Sequence, residues 1–455
     1  MKFVDELPLD DDSNRHQSSG WGRLDIHARR VRTLYMEPLD IVISPNIYLR
    51  IRVMRDSPLL PGLKNIYIPD FPSPDLSSAL FLASGSTLDT VLLGGNAISD
   101  RQFFVPFLTS LYIKSPGLSH LSLHGTVPSG SVEHIYRFTE LQSLRIGLCN
   151  PHLHRQLLHK LGQLPHLLDL FIVDTTAFAA SDSIQPHATP DPISNSKFRQ
   201  LRRLKIVGTD PSINWILNDL RGLTNLSAIK IDRVWEFLAD YESSWKSFFE
   251  IISTFSAVED IQICKRPRGE YISEYKLSPA SLAPLFKLEN LKSFEIDSSI
   301  VLPGSDDDFR LLLAGGFHKL KKFVIPGFSC PEGRSLGGRT LASLYHLSRE
   351  CSELREIKIA LSFDISKNLD AIKKLPHPIV RNHQHPLEKL YIDSDFGQLQ
   401  PIQLVQVARF LDLIFPNLST LETDNSKKTE AANWAGINEL RLALWEARIN
   451  PVGDI

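Results

Sequence analysis

The stretch Gly333-Arg-Ser-Leu-Gly-Gly-Arg-Thr340 comes first among the groups that could do chemistry, because it nearly matches the phosphate-cradling loop G-x-x-x-x-G-K-[ST]. In such a loop, backbone N–H groups surround the phosphates, a lysine reaches the β and γ phosphates, and the hydroxyl holds magnesium. Arg339 stands where the lysine belongs, and no second carboxylate strand for magnesium stands out. A Gly-rich loop between repeats is the expectation, with nucleotide binding through Gly333 to Thr340 a remote alternative. Histidines gather at His152, His154, His159 and His166, and again at His377, His383 and His385. Neither group has carboxylate or thiolate support at ligand spacing, so exposed surface is expected and no metal. The four cysteines, Cys149, Cys264, Cys330 and Cys351, lie far apart with no C-x-x-C, which suggests neither zinc nor a disulfide framework and favours a reducing compartment. There is no G-x-S-x-G, no H-E-x-x-H and no carboxylate pair that periodicity would bring together. An enzyme is not expected, nor a cofactor.

The elements that would position any site are more legible. In Glu140-Leu-Gln-Ser-Leu-Arg-Ile-Gly-Leu-Cys149, residues Leu141, Leu144 and Ile146 make an L-x-x-L-x-L frame, with Cys149 where such a frame takes Asn or Cys. The frame recurs with its first position at Leu63, Leu88, Leu118, Leu141, Leu167, Leu201, Leu226, Val258, Leu291, Leu320, Leu354, Leu387 and Leu418. The mean separation is about 30 residues, room for a short strand, a turn and a helix of about three turns. These are the marks of an α/β leucine-rich-repeat solenoid, with a parallel β-sheet on the concave face and helices on the convex face. Helices are predicted over Pro74 to Ala83, Ser99 to Tyr112, Ser131 to Phe138, His152 to Leu164, Pro211 to Leu220, Ser243 to Phe255, Asp307 to Ala314, Leu336 to Arg349 and Pro401 to Phe415. Two irregular inserts interrupt them, Thr175 to Lys197 and Leu361 to Pro386.

At 455 residues the chain exceeds what one globular core normally supports, but a solenoid grows by addition. A net charge of −2 leaves no bulk attraction to nucleic acid or anionic membrane. No apolar run approaches the roughly 18 residues of a spanning helix, and the acidic N-terminus lacks the apolar core of a secretory signal, so cytoplasm or nucleus is expected. Residues 1–20 read as an acidic, disordered lead-in and 21–58 as an N-terminal cap with a first strand. Residues 59–425 read as the solenoid and 426–455 as a C-terminal capping helix, with Ile437, Leu440, Leu444 and Trp445 on one face.

The segment Trp21-Gly-Arg-Leu24, followed by Ala28-Arg-Arg-Val-Arg-Thr-Leu34, resembles the join between F-box and repeats in the basidiomycete F-box-like leucine-rich-repeat proteins. Ser115-Pro-Gly-Leu-Ser-His-Leu-Ser-Leu123 and Ile414-Phe-Pro-Asn-Leu-Ser-Thr-Leu421 look like recurring phrases of the same family. The resemblance implies a fungal, intracellular substrate receptor of a cullin-type ubiquitin ligase. That family carries its F-box ahead of the tryptophan, where this chain has twenty mostly polar residues, so the F-box itself is expected to be absent. An adaptor would then bind only if an F-box exists upstream.

Side chains alternate across a strand, so positions three, five and seven of each frame face away from the core. Among them Arg145, Phe171, Arg203, Lys205 and Lys230 form the candidate protein-binding site, a basic patch around an aromatic suited to an acidic or phosphorylated segment of another protein. The alternatives are solvated residues of a sheet face, and a scaffold or regulator unrelated to ubiquitination.

Overall fold

A computed structural model describes residues 25–35, 58–69, 85–95, 98–128, 131–148, 157–174, 198–234, 241–266, 275–297, 300–301, 304–325, 338–362, 364–376, 385–393, 399–423 and 428–449. The lead-in 1–20, the insert Thr175 to Lys197 and the helix expected over Pro74 to Ala83 lie outside them. The chain forms two compact units, Met1–Thr189 with Ser196–Leu201, and Pro190–Asn195 with Arg202–Ile455.

Every frame carries a strand. In the first unit these are β1 (Thr33–Tyr35), β2 (Asn65–Ile68), β3 (Thr90–Gly94), β4 (His120–Thr126), β5 (Ser143–Leu148) and β6 (Asp169–Asp174), parallel and in chain order. The second unit has β7 (Arg203–Gly208), β8 (Ala228–Val234), β9 (Asp260–Arg266), β11 (Ser293–Ile296), β13 (Lys322–Ile325), β14 (Glu356–Ala360), β15 (Lys389–Asp393) and β16 (Thr420–Glu422), again parallel. The short strands β10 (Tyr275–Lys276) and β12 (Ile300–Val301) pair only with each other.

Two backbone devices set the register. Before most strands a tight turn brings the N–H of position one onto the carbonyl three residues back, as from Leu141 to Phe138 at 3.1 Å. The carbonyl of position two then accepts two successive N–H groups of the next repeat: Ser119 takes those of Gln142 and Ser143 at 2.8 and 3.0 Å. A one-residue slip would turn Leu144 and Ile146, at most 1% exposed, out to water. Each such burial contributes roughly 1.5–3 kcal/mol, so the register is held many times over.

The residue three before position one forms a further core column: Phe138, Leu164, Phe198, Phe255, Leu288, Phe317, Cys351 and Phe415 are all buried. Where polar residues enter this layer they reach the preceding repeat. Ser115 donates its hydroxyl to the carbonyl of Gly85 at 2.7 Å, and His385, two residues before Leu387, donates from Nε2 to that of Cys351 at 3.1 Å. In the second unit the column merges with strand residues into a run of rings, Phe317 lying 6.3 Å from Phe294 and 6.2 Å from Phe323.

Helices return the chain between strands at Arg101–Lys114, Val132–Ile135, Asp210–Asp219, Tyr241–Ile252, Asp306–Ala314, Leu341–Glu350 and Pro401–Ile414. Each overlaps an expected segment, most of them running one or two residues past it at one end, and Val132–Ile135 is the shortest. Pro279–Lys287 winds as a 3-10 helix with Pro279 and Pro284 inside it. One expectation fails: Leu361 to Pro386 is not an irregular insert, because Ile365–Lys373 is helical. Its core position is Asn368, fully buried, which breaks the apolar period. The amide serves as the core residue by bonding, donating Nδ2–H to the carbonyls of Ser362 and Asp364 at 2.9 and 2.8 Å and accepting the N–H of Leu341 at 2.8 Å. The last helix, Lys428–Ile449, packs Trp434, Ile437 and Arg441 against Pro401–Ile414 and β16. Trp445, on the same face, remains 41% exposed.

A candidate protein-binding face

Strand parity decides which side chains are offered. Along β5 the core takes Leu144 and Ile146 while Ser143 and Arg145 are partly exposed, and β6 repeats this with Asp169 and Phe171 outward. Arg145 and Phe171 are register partners, and the guanidinium carbon lies 4.2 Å from the ring centroid. A cation over a ring at this distance contributes about 0.5–1 kcal/mol at a partly exposed site. Beside it on β4, His124 Nε2 lies 2.9 Å from Ser122 Oγ; burial, then the charge of Arg145, hold its imidazole below the usual histidine range.

The other three predicted residues belong to the second unit. Lys205 on β7 and Lys230 on β8 are register partners, and Arg203 precedes Lys205 on the same face. Lys205 Nζ lies 3.1 Å from Asp232 Oδ2, a carboxylate whose side chain is only 5% exposed, so part of this charge is balanced within the fold. The structure thus brings Arg145 to Phe171 and Lys205 to Lys230, each pair within one unit. Farther along, Lys322 Nζ bridges Glu295 at 3.0 Å and Glu356 at 3.4 Å, and Gln262 donates to Glu295 at 3.2 Å. Burial lowers the Lys322 ammonium, but its two carboxylates outweigh that and leave it above its ordinary value.

The groups that resemble catalytic sets are committed elsewhere. Asp89, Ser119 and His120 meet on the outward side of the first unit, Ser119 Oγ bonding Asp89 Oδ1 and lying 2.5 Å from His120 Nδ1. The serine proton goes to the carboxylate, so His120 must donate to the hydroxyl, and the order of a nucleophile activated by histidine is reversed. Thr340, the last residue of the Gly-rich stretch, donates its hydroxyl to Asp306 Oδ2 at 2.7 Å and its N–H to Oδ1 at 2.8 Å. The same hydroxyl caps Leu341–Glu350 by accepting the N–H of Ala342 at 3.1 Å. Arg339 is 1% exposed, its guanidinium carbon 5.4 Å from the centroid of Phe309; burial pulls its pKa down to about 10 and Asp306 opposes this. Residues 333–337 lie outside the described ones.

Of the histidines expected on the surface, His159 and His166 are exposed, and His152, His154, His377 and His383 fall outside the described side chains. His385 departs from that expectation. It is 1% exposed, packs 5.0 Å from the ring of Phe415, and accepts the N–H of Leu387 at Nδ1. Burial holds its pKa down at about 4, against the raising effect of the Cys351 carbonyl. Among the described residues no group of three or more His, Cys, Asp or Glu could hold a metal ion, and no helix is long and apolar enough to cross a membrane.

No family model matches the chain, and no curated protein matches it.

Sequence reasoning left Tyr35 out of the face. It follows Leu34 in the frame beginning at Val31, and parity alone would have placed it outward.

Proposed function

We propose that the chain is a leucine-rich-repeat solenoid that holds an extended segment of another protein on its outward sheet face. The observation that carries this reading is the alternation along the strands: in the frames from Leu63 to Leu387, positions four and six are apolar and buried, while positions three and five, most of them charged, aromatic or hydroxyl-bearing, are partly or fully exposed in all but Val324. Such a face offers one side chain about every 4.8 Å, the spacing of recognition by many small contacts. Within the first unit Arg145 beside Phe171, and within the second Arg203, Lys205 and Lys230, each favour an acidic or phosphorylated segment. Nucleotide binding is disfavoured, since Thr340 and the amide of Leu341 already bond to Asp306 and Asn368.

The resemblance to the F-box-like repeat family puts this recognition to work in a ubiquitin ligase, with the chain as substrate receptor. Affinity purification of the tagged product, expressed from its own locus in the native host, tests that step by mass spectrometry. Recovery of a cullin and its adaptor supports the receptor; partners recovered without either would make the chain a scaffold outside ubiquitination.

A further inference from the structure

Four exposed cations gather at the N-terminal end of the first unit. Arg29 and Arg30 follow directly on the helical residues 25–28, while Arg32 and Lys64 occupy position two of their frames, where β1 and β2 begin. Among the described residues none of the four is ion-paired. The backbone holds them together. The Arg32 carbonyl accepts the N–H groups of Lys64 and Asn65 at 2.8 and 3.0 Å, and Arg32 Nη1 donates to the carbonyls of Arg29 and Gly62 at 2.7 and 2.9 Å. A Cβ at Gly62 would strike both the Arg32 guanidinium and the Arg29 carbonyl, so this close approach needs glycine. Outward on the same two strands lie Tyr35 and Tyr67, register partners, the first 59% exposed and the second partly exposed. From this juxtaposition we infer that the N-terminal end of the first unit binds single-stranded nucleic acid, its phosphates along the four cations and its bases on the two tyrosines. This is a second function, separate from the holding of a protein segment.

The pairing of charge with rings selects the ligand. Arg32 and Tyr35, like Lys64 and Tyr67, are three residues apart, about 10 Å of extended chain, so one strand of nucleic acid spans cations and rings together. An acidic peptide carries the charge but no flat surface for the rings. Every base has such a surface, and stacking on an aromatic side chain is favourable whatever the sequence. In a duplex the bases are stacked on one another, which leaves both tyrosines without a partner. The net charge of −2 over the whole chain does not oppose this, because exposed charges beyond a Debye length of about 8–10 Å are largely screened. Among the described residues the acids adjoining the patch are Asp25, whose carbonyl accepts the N–H of Arg29, and Asp89, which bonds Ser119. Four cations against these two acids leave the edge positive.

The test is fluorescence anisotropy of the full chain with labelled mixed-sequence single strands of RNA and DNA, about 20 nucleotides long, beside their duplexes and a polyglutamate of equal charge. One or both single strands should bind about tenfold or more tighter than the duplex and the polyglutamate. Contacts to four phosphates give a salt slope of about −2.8, so raising the salt from about 50 to 200 mM should weaken binding roughly 50-fold. Arg30→Glu should weaken binding and make that slope shallower by about 0.7 or more. Tyr35→Ala should weaken it roughly fivefold or more and leave the slope unchanged. Both residues are exposed, so both variants should melt with the parent. Arg310→Glu, on the helix Asp306–Ala314 of the second unit, should change neither affinity nor slope. A duplex or polyglutamate bound as tightly as the single strands would overturn the proposal, as would an Arg310→Glu effect as large as that of Arg30→Glu. Absence of single-strand binding at about 50 mM salt would overturn it outright, and the holding of a protein segment would stand untouched.

Discussion

Replacing Asp210 by alanine takes a bidentate carboxylate away from a guanidinium buried inside the second unit. Arg233 is 2% exposed and engages Asp210 with both ends of its fork, Nε to Oδ1 at 2.6 Å and Nη2 to Oδ2. The far face of the guanidinium lies on Trp245, 3.8 Å from the ring centroid. Removing one partner of a buried pair costs about 3–5 kcal/mol, since the remaining charge keeps its desolvation penalty. Asp210 is 8% exposed, which lets some water reach the vacancy, so the lower end, about 3 kcal/mol, is the appropriate figure. For a unit of this size each kcal/mol moves the melting temperature by about 2–4 °C, giving a fall of roughly 6–12 °C in scanning calorimetry. Removing both charges, with Asp210→Leu and Arg233→Met together, should bring stability back to within about 1–2 kcal/mol of the parent, the residue being the lost stacking on Trp245. A single variant that melts within about 2 °C of the parent would refute the reasoning, as would a double variant no more stable than the single.

Other predictions follow from the same kind of accounting. His385 is neutral in the folded chain, with its pKa near 4, and takes up a proton on unfolding at the ordinary value near 6.5, so its contribution is present above about pH 6.5 and is lost as pH falls towards 4. Stability should drop by about 2 kcal/mol between pH 7 and pH 5, and His385→Gln should remove that slope in urea titrations at the two pH values. Asn368→Ala leaves the N–H of Leu341 and the carbonyls of Ser362 and Asp364 without their partner, a loss of about 2–3 kcal/mol that amide exchange at Leu341 should register. Cys351 is buried with its thiol pushed up to about 12, so alkylation mapped by mass spectrometry should label the half-exposed Cys264 first and spare Cys351 until the chain unfolds. Lys322→Met, at a partly exposed triad, should change stability by less than about 1 kcal/mol, measured by thermal melting.

The strands were legible because each repeats one signal, apolar residues at positions one, four and six, and a buried parallel ladder tolerates no other parity. Helices over Asp210–Asp219 and Pro401–Ile414 were legible for a similar reason, an apolar stripe with a proline at the first turn. Ile365–Lys373 was not, because its core residue is an amide that breaks the apolar period and is satisfied by the carbonyls of Ser362 and Asp364 and by the N–H of Leu341 from the preceding helix. His385 misled in the same way: a polar type signals exposure unless a carbonyl of the preceding repeat is known to wait for it. The column three residues before each frame was readable in principle, from Phe138, Phe198, Phe255, Phe317 and Phe415 at equal offset. For the proposed face, parity gave the candidates but not their pairing. That Lys205 spends part of its charge on Asp232, while Arg145 is laid against Phe171, depends on cross-strand distances that a single sequence does not carry.

The central claim is that partners are held by the outward sheet face. Its most direct test is quantitative affinity purification of the parent chain beside three charge reversals, Arg145→Glu and Arg203→Glu on the face and Arg310→Glu on the exposed helix Asp306–Ala314. The account predicts partners that Arg310→Glu retains and that at least one face variant loses by about tenfold. An unchanged partner set across the two face variants, with loss confined to Arg310→Glu, would contradict it.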